Sequence, residues 1–286
     1  MKITEIFNKE DKTFSFEFFP PKNEIQAVEF GINLGQLMRL CPSFVTVTYG
    51  AGGSTQNTSF GLVNFIHHKI GITCMAHYTC VNATKEKVKE DLNFLVNNNI
   101  ENVMLLRGDP LKGQTKFGLN LDGFNHASDL ITFTKNVHDF CIGGGAYVDK
   151  HPEANNLDED ITNLKTKVDA GADFLITQFF FNNDNYFGFI DKAKQKGINC
   201  RIIPGLIPII NYNQIAKFAQ LSGNPIPDEI IQKFEPFKED KRKMYEIGLE
   251  LAINQAKDLL KRGAPGIHFY TLNKSRATVE IFEAVK

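Results

Sequence analysis

The chain has 286 residues, and its 32 lysines and arginines nearly balance its 33 aspartates and glutamates, for a formal net charge of −1. This balance excludes the basic classes of protein that bind nucleic acid non-specifically or adhere to membrane surfaces. Hydrophobic residues at 42% and charged residues at 23% exclude an intrinsically disordered chain.

The N-terminal segment and the hydropathy predict a cytoplasmic protein that binds neither nucleic acid nor a membrane. No apolar run approaches the roughly 20 residues that a membrane helix needs. The charged start Met1–Glu5 lacks the apolar core of a secretory signal.

The cysteine and histidine patterns predict neither a disulfide framework nor a metal site. Five cysteines are an odd number, and no two form a C-x-x-C pair. The seven histidines include the pair His67-His68 but no H-E-x-x-H motif. We therefore expect small, mostly buried thiols and no bound metal.

Eight short β-prone runs alternate with segments of helical periodicity. In chain order the runs are Thr13–Phe19, Ser43–Tyr49, Thr73–Thr79, Asn102–Arg107, Ile142–Tyr147, Phe174–Phe180, Cys200–Gly205 and Gly266–Tyr270. Between them, apolar residues recur three and four positions apart, as a helix face requires. The expected N-caps are Thr84, Ser128 and Asp184, and the expected C-terminal glycines are Gly197, Gly223 and Gly263.

This alternation predicts an α/β fold, a single (β/α)8 TIM barrel over residues 1–286. Eight strands in about 250 residues are usual for this fold, and no polar linker divides the chain into domains. The segment Pro225–Lys243 fits extra helical turns between the seventh and eighth strands. A doubly wound open sheet is the alternative, and the count of eight favours the barrel.

Polar side chains stand at seven of the eight predicted strand ends, where barrels of this type place their active sites. They are Glu17, Thr48 and Tyr49, His77, Arg107 through Asp109, Tyr147, Gln178 and Tyr270. The seventh strand ends in Pro204-Gly205 instead. Loops are polar in any case, so one such residue indicates little, but the set predicts a site. The long irregular stretch Gly108–Ala127 follows the fourth strand, and loops of this length are commonly functional.

Glu17 is the most informative of these residues. Alternation along the first strand sends Phe14, Phe16 and Phe18 towards the helices and aims Glu17 into the barrel mouth. A carboxyl group ringed by aromatic side chains has a raised pKa, which suits a general acid. The alternative is a glutamate held in a salt bridge.

Three other patterns are less decisive. Two charged pairs each allow two interpretations, and a glycine run excludes one kind of binding loop. Arg107 and Asp109 form either an ion pair within a turn or part of the site. Asp160 and Lys167 share one helix face, where solvated surface charges give the same pattern. The run Gly143–Gly145 is not a dinucleotide-binding loop, and it predicts close backbone approach inside a strand.

The residues alone predict a barrel enzyme with a buried acid and a polar mouth. Longer motifs run in order through residues 14–273, namely Phe16–Pro21, Val45–Ala51, His77–Cys80, Leu106–Asp109, Ala146-Tyr147 with His151–Ala154, Lys167–Ala172, Ile176–Phe181, Ile203–Gly205 and His268–Asn273. In this order they resemble the 5,10-methylenetetrahydrofolate reductase family. The chain looks like the short bacterial form, without a C-terminal regulatory domain.

The resemblance implies an oxidoreductase of CH–NH donors that holds FAD non-covalently at the strand ends. Members pass a hydride from NADH or NADPH to the flavin and then to methylenetetrahydrofolate in a ping-pong scheme. The product, 5-methyltetrahydrofolate, feeds methionine synthesis and one-carbon metabolism. Bacterial relatives suggest a homo-oligomer.

The resemblance also implies roles for individual residues. Glu17 would protonate N10 of the folate, and Asp109 would bind the pterin and tune the flavin. The FAD positions are Tyr49, Ala51, His77, Arg107, Gly108, Asp109, His126, Ala127, Tyr147, His151, Ala154, Asp160, Asn163 and Lys167. The substrate positions are Thr48, Asp109, Gln178, Gln214, Phe218, Tyr270 and Lys274.

Three positions depart from the family pattern, and two other function classes fit the fold. His126 stands where tyrosine is frequent, Thr166 replaces a basic residue, and Lys274 replaces an arginine. A lysine keeps the charge but loses the bidentate fork of arginine. The alternative functions are a flavin-free pterin-binding transferase and a binding protein descended from the enzyme. The residues do not distinguish NADH from NADPH.

Overall fold

The computed structural model describes residues 1–49, 56–81, 83–108, 120–221, 223–224 and 226–286. Eight parallel strands close into a barrel in chain order, and β8 pairs with β1. The strands are β1 (Thr13–Phe18), β2 (Phe44–Val47), β3 (Cys74–Thr79), β4 (Asn102–Leu106), β5 (Cys141–Ala146), β6 (Phe174–Phe179), β7 (Arg201–Leu206) and β8 (Gly266–Tyr270). The predicted barrel is therefore confirmed, and the open-sheet alternative is wrong.

One short helix precedes the first strand, and the other helices follow the strands around the barrel. They are α1 (Ile3–Phe7), α2 (Glu24–Met38), α3 (Gln56–Phe65, continued by a π-helical turn, Ile66–Ile70), α4 (Lys85–Asn97), α5 (Ala127–Val137), α6 (Leu157–Asp169), α7 (Asn183–Gln195), α8 (Tyr212–Leu221), α9 (Asp228–Phe234), α10 (Lys241–Lys261) and α11 (Arg276–Val285). The predicted extra turns before β8 are present as α9, a 3-10 turn and the start of α10.

The alternation predicted for β1 is confirmed by its packing. Phe14 lies edge-on to Phe282 of α11 with ring centroids 5.1 Å apart, and Phe18 lies edge-on to Phe30 of α2 at 5.6 Å. Both phenylalanines thus face the helix layer. The intervening residues, including Glu17, point into the barrel.

An apolar floor closes the barrel at the N-terminal ends of the strands. Ile3 and Ile6 of α1 are buried there against Phe44, Met104 and Phe174, which point inward from three strands. The five-residue α1 was missed in the sequence, because so short a helix shows no periodicity. Since the floor is filled by apolar side chains, water and ligands have access only from the opposite end.

The glycine run in β5 lets other side chains fill the barrel interior. A Cβ atom at Gly143 would lie 3.0 Å from the sulfur of Met104, 3.1 Å from Phe174 and 3.2 Å from the sulfur of Met75. Three large side chains therefore occupy the space that a side chain at residue 143 would need.

The predicted helix ends are right in part. Thr84 caps α4 by accepting from the Lys87 amide at 3.2 Å, whereas Ser128 and Asp184 are not caps. Helix α7 begins earlier because the side chain of Asn182 accepts from the amide of residue 184, and α5 begins earlier because Asp129 accepts from the amide of residue 126. Three glycines, at residues 197, 223 and 263, follow α7, α8 and α10 with positive φ.

All five cysteines are free. Cys74, Cys80 and Cys141 are buried, Cys200 is half-buried, and Cys41 is exposed. The prediction of mostly buried thiols is confirmed.

Replacing Gly143 with valine should overpack the barrel interior. We expect the free energy of unfolding to fall by about 1–3 kcal/mol, because two methionines and a phenylalanine must move. Gly188→Ala on α7 is the control, since a Cβ atom there meets nothing within 4 Å. Urea denaturation measures both variants, and equal stabilities would contradict the close packing at Gly143.

Candidate active site

A cleft of about 890 Å³ opens at the C-terminal ends of the strands. This volume lies within the usual range for small-molecule sites, about 300–1,000 Å³. Its lining includes polar residues from seven strand ends, namely Glu17, Thr48, Tyr49, His77, Arg107, Tyr147, Gln178 and Tyr270. The structure therefore brings the described members of the predicted set together.

The Glu17 carboxylate lies deep in this cleft between two imidazoles. Its Oε2 atom is 3.7 Å from Nε2 of His77 and 3.6 Å from Nε2 of His268, and the residue is only 6% exposed. The expectation that aromatic side chains surround the Glu17 carboxyl group is wrong. The phenylalanines of β1 face outward, and β3 and β8 present histidines to the interior.

The protonation state of His77 decides whether this ring can form a salt bridge with Glu17. Burial lowers the pKa of His77 to about 4, although the nearby Glu17 carboxylate opposes this shift. His77 is therefore neutral near pH 7, and it forms no ion pair with Glu17 there. Its Nε2 atom is buried and has no hydrogen-bond partner among the described residues.

His268 was missed in the sequence, although the alternation of β8 carries the signal. Residues 266, 268 and 270 share one face of that strand, and Tyr270 was already assigned to the barrel mouth. Nδ1 of His268 lies 2.8 Å from the Ser15 hydroxyl. When Ser15 donates this hydrogen bond, the ring carries its proton on Nε2, which faces Glu17.

The loop after β8 holds the end of β1 in place. The Thr271 hydroxyl donates to the carbonyl oxygen of Glu17 at 2.6 Å. The Asn273 side chain accepts from the amide of Phe19 at 2.9 Å and donates to the carbonyl oxygen of Phe19 at 2.8 Å. Leu272 and Asn273 both have positive φ, 50° and 58°, which non-glycine residues rarely adopt. These contacts fix the backbone at Glu17 and two residues after it.

The far wall of the cleft carries two cationic side chains. Lys167 donates to the carbonyl oxygen of Gly145 at 2.8 Å, and Arg107 pairs with Glu153 at 2.8 Å. Burial lowers the pKa of Lys167, Asp160 opposes this shift, and Arg107 adds to it. Lys167 and Asp160 both line the cleft, so they belong to it and not to a solvated helix surface.

Tyr270 and Gln178 are held by the backbone of the neighbouring strands. The Tyr270 hydroxyl donates to the carbonyl oxygen of Thr177 at 2.8 Å, and a Cβ atom at Gly205 would lie 2.6 Å from the Tyr270 ring. The glycine at the seventh strand end thus makes room for Tyr270. The Phe179 amide donates to Oε1 of Gln178 at 3.0 Å, which leaves the amide nitrogen of Gln178 for a ligand.

The remaining sequence-predicted residues fall into three groups. Cleft-lining residues are Gly108, His126, Ala127, His151, Ala154 and Asn163. Ala51, Asp109 and the side chain of Gln214 lie outside the described residues, and so does the proposed Arg107–Asp109 pair. Phe218 and Lys274 do not line this cleft, since Phe218 packs in an apolar cluster beside α8 and Lys274 pairs with Glu29 at 3.3 Å.

Two classes of feature are not found in the part of the chain that the structure describes. It contains no group of three or more histidine, cysteine, aspartate or glutamate side chains that could hold a metal ion. It also contains no helix that is both long enough and apolar enough to cross a membrane.

The chain is similar to known proteins in sequence and in fold. The methylenetetrahydrofolate reductase family model matches residues 2–286. The chain is 40% identical over 261 residues to 5,10-methylenetetrahydrofolate reductase of Buchnera aphidicola subsp. Schizaphis graminum, covering 91% of this chain and 87% of the relative. It is 36% identical over 267 residues to the Escherichia coli K12 protein of the same name, covering 93% and 88%.

A plant relative and one solved structure extend the comparison. Methylenetetrahydrofolate reductase (NADH) 1 of Arabidopsis thaliana is 34% identical over 98% of this chain, which spans 49% of the plant protein. A Clostridium thermocellum protein described as binding two copies of 5-methyl-5,6,7,8-tetrahydrofolic acid has a TM-score of 0.66, at 16% identity over 99% of this chain and 96% of that one. At this identity the likeness shows the fold alone.

The neutral state of His77 predicts a pH dependence of stability. Because its folded pKa of about 4 lies below the ordinary value of 6.5, the neutral ring favours folding. That contribution, about 3 kcal/mol, is complete above pH 6.5 and is lost as the pH falls towards 4. Urea denaturation from pH 7.5 to 4 should show a shallower decline for His77→Gln than for the control His68→Gln, which changes an exposed ring. Parallel curves for the two variants would contradict the burial of a neutral ring.

Proposed function

The chain belongs to the methylenetetrahydrofolate reductase family, and on that premise we propose that it reduces 5,10-methylenetetrahydrofolate to 5-methyltetrahydrofolate with electrons from NADH or NADPH. We propose further that FAD, bound non-covalently in the cleft, links the two substrates in a ping-pong scheme. In the cytoplasm the product supplies methionine synthesis and one-carbon metabolism.

The observation that carries the proposal is the buried Glu17 carboxyl at the base of the cleft. It lies between two imidazoles, one of them neutral near pH 7, and its backbone is fixed by Thr271. A buried, positioned carboxyl group beside a substrate cleft suits general acid catalysis. Glu17 donates its proton to N10 of the folate, which opens the five-membered ring to an electrophilic iminium. The exocyclic carbon then accepts the hydride.

The cationic wall of the cleft fits the diphosphate of FAD. Lys167 and Arg107 both line it, and the buried Nε2 atom of His77 offers a polar contact deeper in the cleft. The isoalloxazine ring supplies hydride acceptance and donation when it is bound. The further proposed contacts with FAD are Tyr49, Ala51, Gly108, Asp109, His126, Ala127, Tyr147, His151, Ala154, Asp160 and Asn163.

The fixed position of the Gln178 side chain supports a binding contact with each of the two substrates. Its carbonyl oxygen accepts from the backbone of Phe179, so its amide group presents a donor to the cleft. Such a donor binds the carboxamide oxygen of a nicotinamide or the carbonyl oxygen of a pterin equally well. Thr48 is proposed to contact the nicotinamide, and Asp109 to bind the pterin and tune the flavin. Tyr270 and Gln214 are proposed to bind the folate, and Phe218 and Lys274, which do not line the cleft, are proposed to contact the part of the folate that extends beyond it.

A two-step anaerobic titration tests the proposed function. The purified protein should be yellow and should release FAD on denaturation. Anaerobic NADH or NADPH should bleach the visible absorption, and methylenetetrahydrofolate should restore it. A colourless protein that FAD does not reconstitute would overturn the proposal and favour a flavin-free pterin-binding transferase. Rates with the two nicotinamides decide which one is the electron donor.

The variant Glu17→Gln should separate the two half-reactions. Glutamine is close in shape but carries no acidic proton, so ring opening loses its acid. We expect reoxidation by the folate to slow by about 10²–10⁴-fold, the usual contribution of a general acid, while reduction by NADH stays near normal.

Rapid mixing measures each half-reaction of Glu17→Gln, with Glu90→Gln on the exposed surface of α4 as the control. Flavin content and thermal stability confirm that both variants fold. Slow reduction by NADH combined with normal reoxidation by the folate would show that Glu17 is not the acid.

A further inference from the structure

A buried carboxylate lies outside the cleft, in the layer between the barrel and α4. Asp91 is on the inward face of that helix, where Leu92 and Leu95 also pack, and its side chain is only 5% exposed. Burial of a charged group is costly unless hydrogen bonds and an opposite charge compensate for it. An apolar side chain would fill this position without that cost, so the carboxylate indicates a further role.

Two donors hold the Asp91 carboxylate in one orientation. The Tyr78 hydroxyl donates to its Oδ2 atom at 2.8 Å, and the Lys87 ammonium donates to its Oδ1 atom at 2.7 Å. Tyr78 is fully buried on the outward side of β3, whereas Lys87 reaches solvent. Ion pairs four residues apart form on exposed helix surfaces without burial. The pair with Lys87 therefore does not explain why the carboxylate lies inside.

The Tyr78 ring contacts Tyr49, which follows β2 and lines the cleft. The two ring centroids are 5.0 Å apart, at an interplanar angle of 51°. Phe60 lies beside both rings, with centroid distances of 6.2 Å to Tyr49 and 6.5 Å to Tyr78. Burial raises the pKa of Tyr49 to about 12, the charge of Asp91 adds to this shift, and a hydrogen bond with Tyr78 opposes it. The effect of Asp91 thus extends to the wall of the cleft.

We propose that Asp91 is a positioning residue. By holding the hydroxyl proton of Tyr78, it makes Tyr49 donate to Tyr78 and present its own oxygen as an acceptor to a ligand in the cleft. The inference rests on the proposed function for the identity of that ligand, because Tyr49 is a proposed contact with FAD. The ribityl hydroxyls and the adenine amino group of FAD are donors that such an oxygen can accept from.

A count of protons explains why a carboxylate is needed behind Tyr78. A tyrosine hydroxyl has one proton to donate, and its oxygen can also accept. Tyr78 gives its proton to Asp91, so it can only accept from Tyr49. If residue 91 offers no acceptor, Tyr78 can donate to Tyr49 instead, and Tyr49 then presents a proton to the cleft. Asp91 therefore sets the direction of the hydrogen bond between the two tyrosines.

The affinity for FAD tests this order of action. Release of FAD from the full chain on dilution, followed by flavin fluorescence, gives the dissociation constant. Asp91→Leu and Tyr78→Phe should each weaken binding by about threefold to tenfold, the usual contribution of one hydrogen bond. Asp91→Asn should bind as the wild type does, because its side-chain oxygen still accepts from Tyr78. Glu90→Gln on the exposed face of α4 is the control.

A double variant separates positioning from packing. Asp91→Leu alone leaves the buried Tyr78 hydroxyl without its acceptor, so the melting temperature should fall. Combining it with Tyr78→Phe removes both polar groups, and such paired replacements are nearly neutral for stability. We expect the double variant to recover most of the melting temperature while FAD binding stays weak. A pair that only stabilises the fold would recover both together.

A fluorine label reports on Tyr49 whether or not flavin is bound. In 3-fluorotyrosine at residue 49, the fluorine adjoins the hydroxyl, so its NMR resonance responds to the hydrogen bonds of that group. Asp91→Leu and Tyr78→Phe should shift the resonance, whereas Asp91→Asn and Glu90→Gln should leave it in place. A chain that shows these shifts but binds no FAD would contradict the proposed function and support the positioning role.

Two results would overturn the positioning role. One is a fluorine resonance that is the same in the wild type, Asp91→Leu and Tyr78→Phe. The other is a double variant that regains FAD affinity together with its melting temperature. Tyr78→Phe removes a single oxygen atom, so it decides the question even if Asp91→Leu fails to fold.

Discussion

The closed parallel barrel imposes one constraint on which the rest of this structure depends, namely that every second side chain of each strand points inward. The interior has room for only a few layers of side chains, and each layer must be filled. At the N-terminal ends this layer is apolar and is sealed by α1. At the C-terminal ends the same inward positions carry Glu17, His77, His268 and Tyr270. Floor and site are thus two layers of one packing pattern, and a one-residue shift along a strand would turn its inward side chains outward.

The inward-facing layer at the C-terminal ends of the strands is unusual because it buries titratable side chains. Glu17 and His77 are both almost completely buried, and a charge on either is expensive there unless a partner compensates it. The Nε2 atoms of His268 and His77 lie 3.6 and 3.7 Å from the Glu17 carboxylate, which is too far for a short hydrogen bond. This loose arrangement leaves the carboxyl group free to turn towards a ligand. The tighter contacts are made instead by backbone atoms, through Thr271 and Asn273, which hold the strand and not the acid.

Much of the fold and part of the site could be predicted from the sequence, because both follow from two-residue alternation. The eight strands, the outward Phe14 and the inward Glu17 are local patterns, and the structure confirms them. His268 escaped notice because its role depends on a neighbour from the other end of the chain, and α1 escaped because it is too short for periodicity. The caps at Ser128 and Asp184 were wrong because a nearby asparagine or a reciprocal aspartate contact began each helix earlier. Which residues contact the cofactor stays a prediction, since such contacts depend on distances that no local pattern contains.

The contacts between the loop after β8 and the end of β1 have a consequence for the synthesis of the protein. The hydrogen bonds from Thr271 to Glu17 and from Asn273 to Phe19 each join residues 254 positions apart. At roughly 5–20 residues per second, a ribosome needs on the order of 12–50 s to make the intervening chain. The cationic wall comes from segments that emerge well before then. The cationic wall of the cleft is therefore encoded in the middle of the chain, whereas the backbone at Glu17 is fixed only when the two ends meet. A nascent chain that has not yet released β8 contains Glu17 but lacks the contacts that hold it at the base of the cleft.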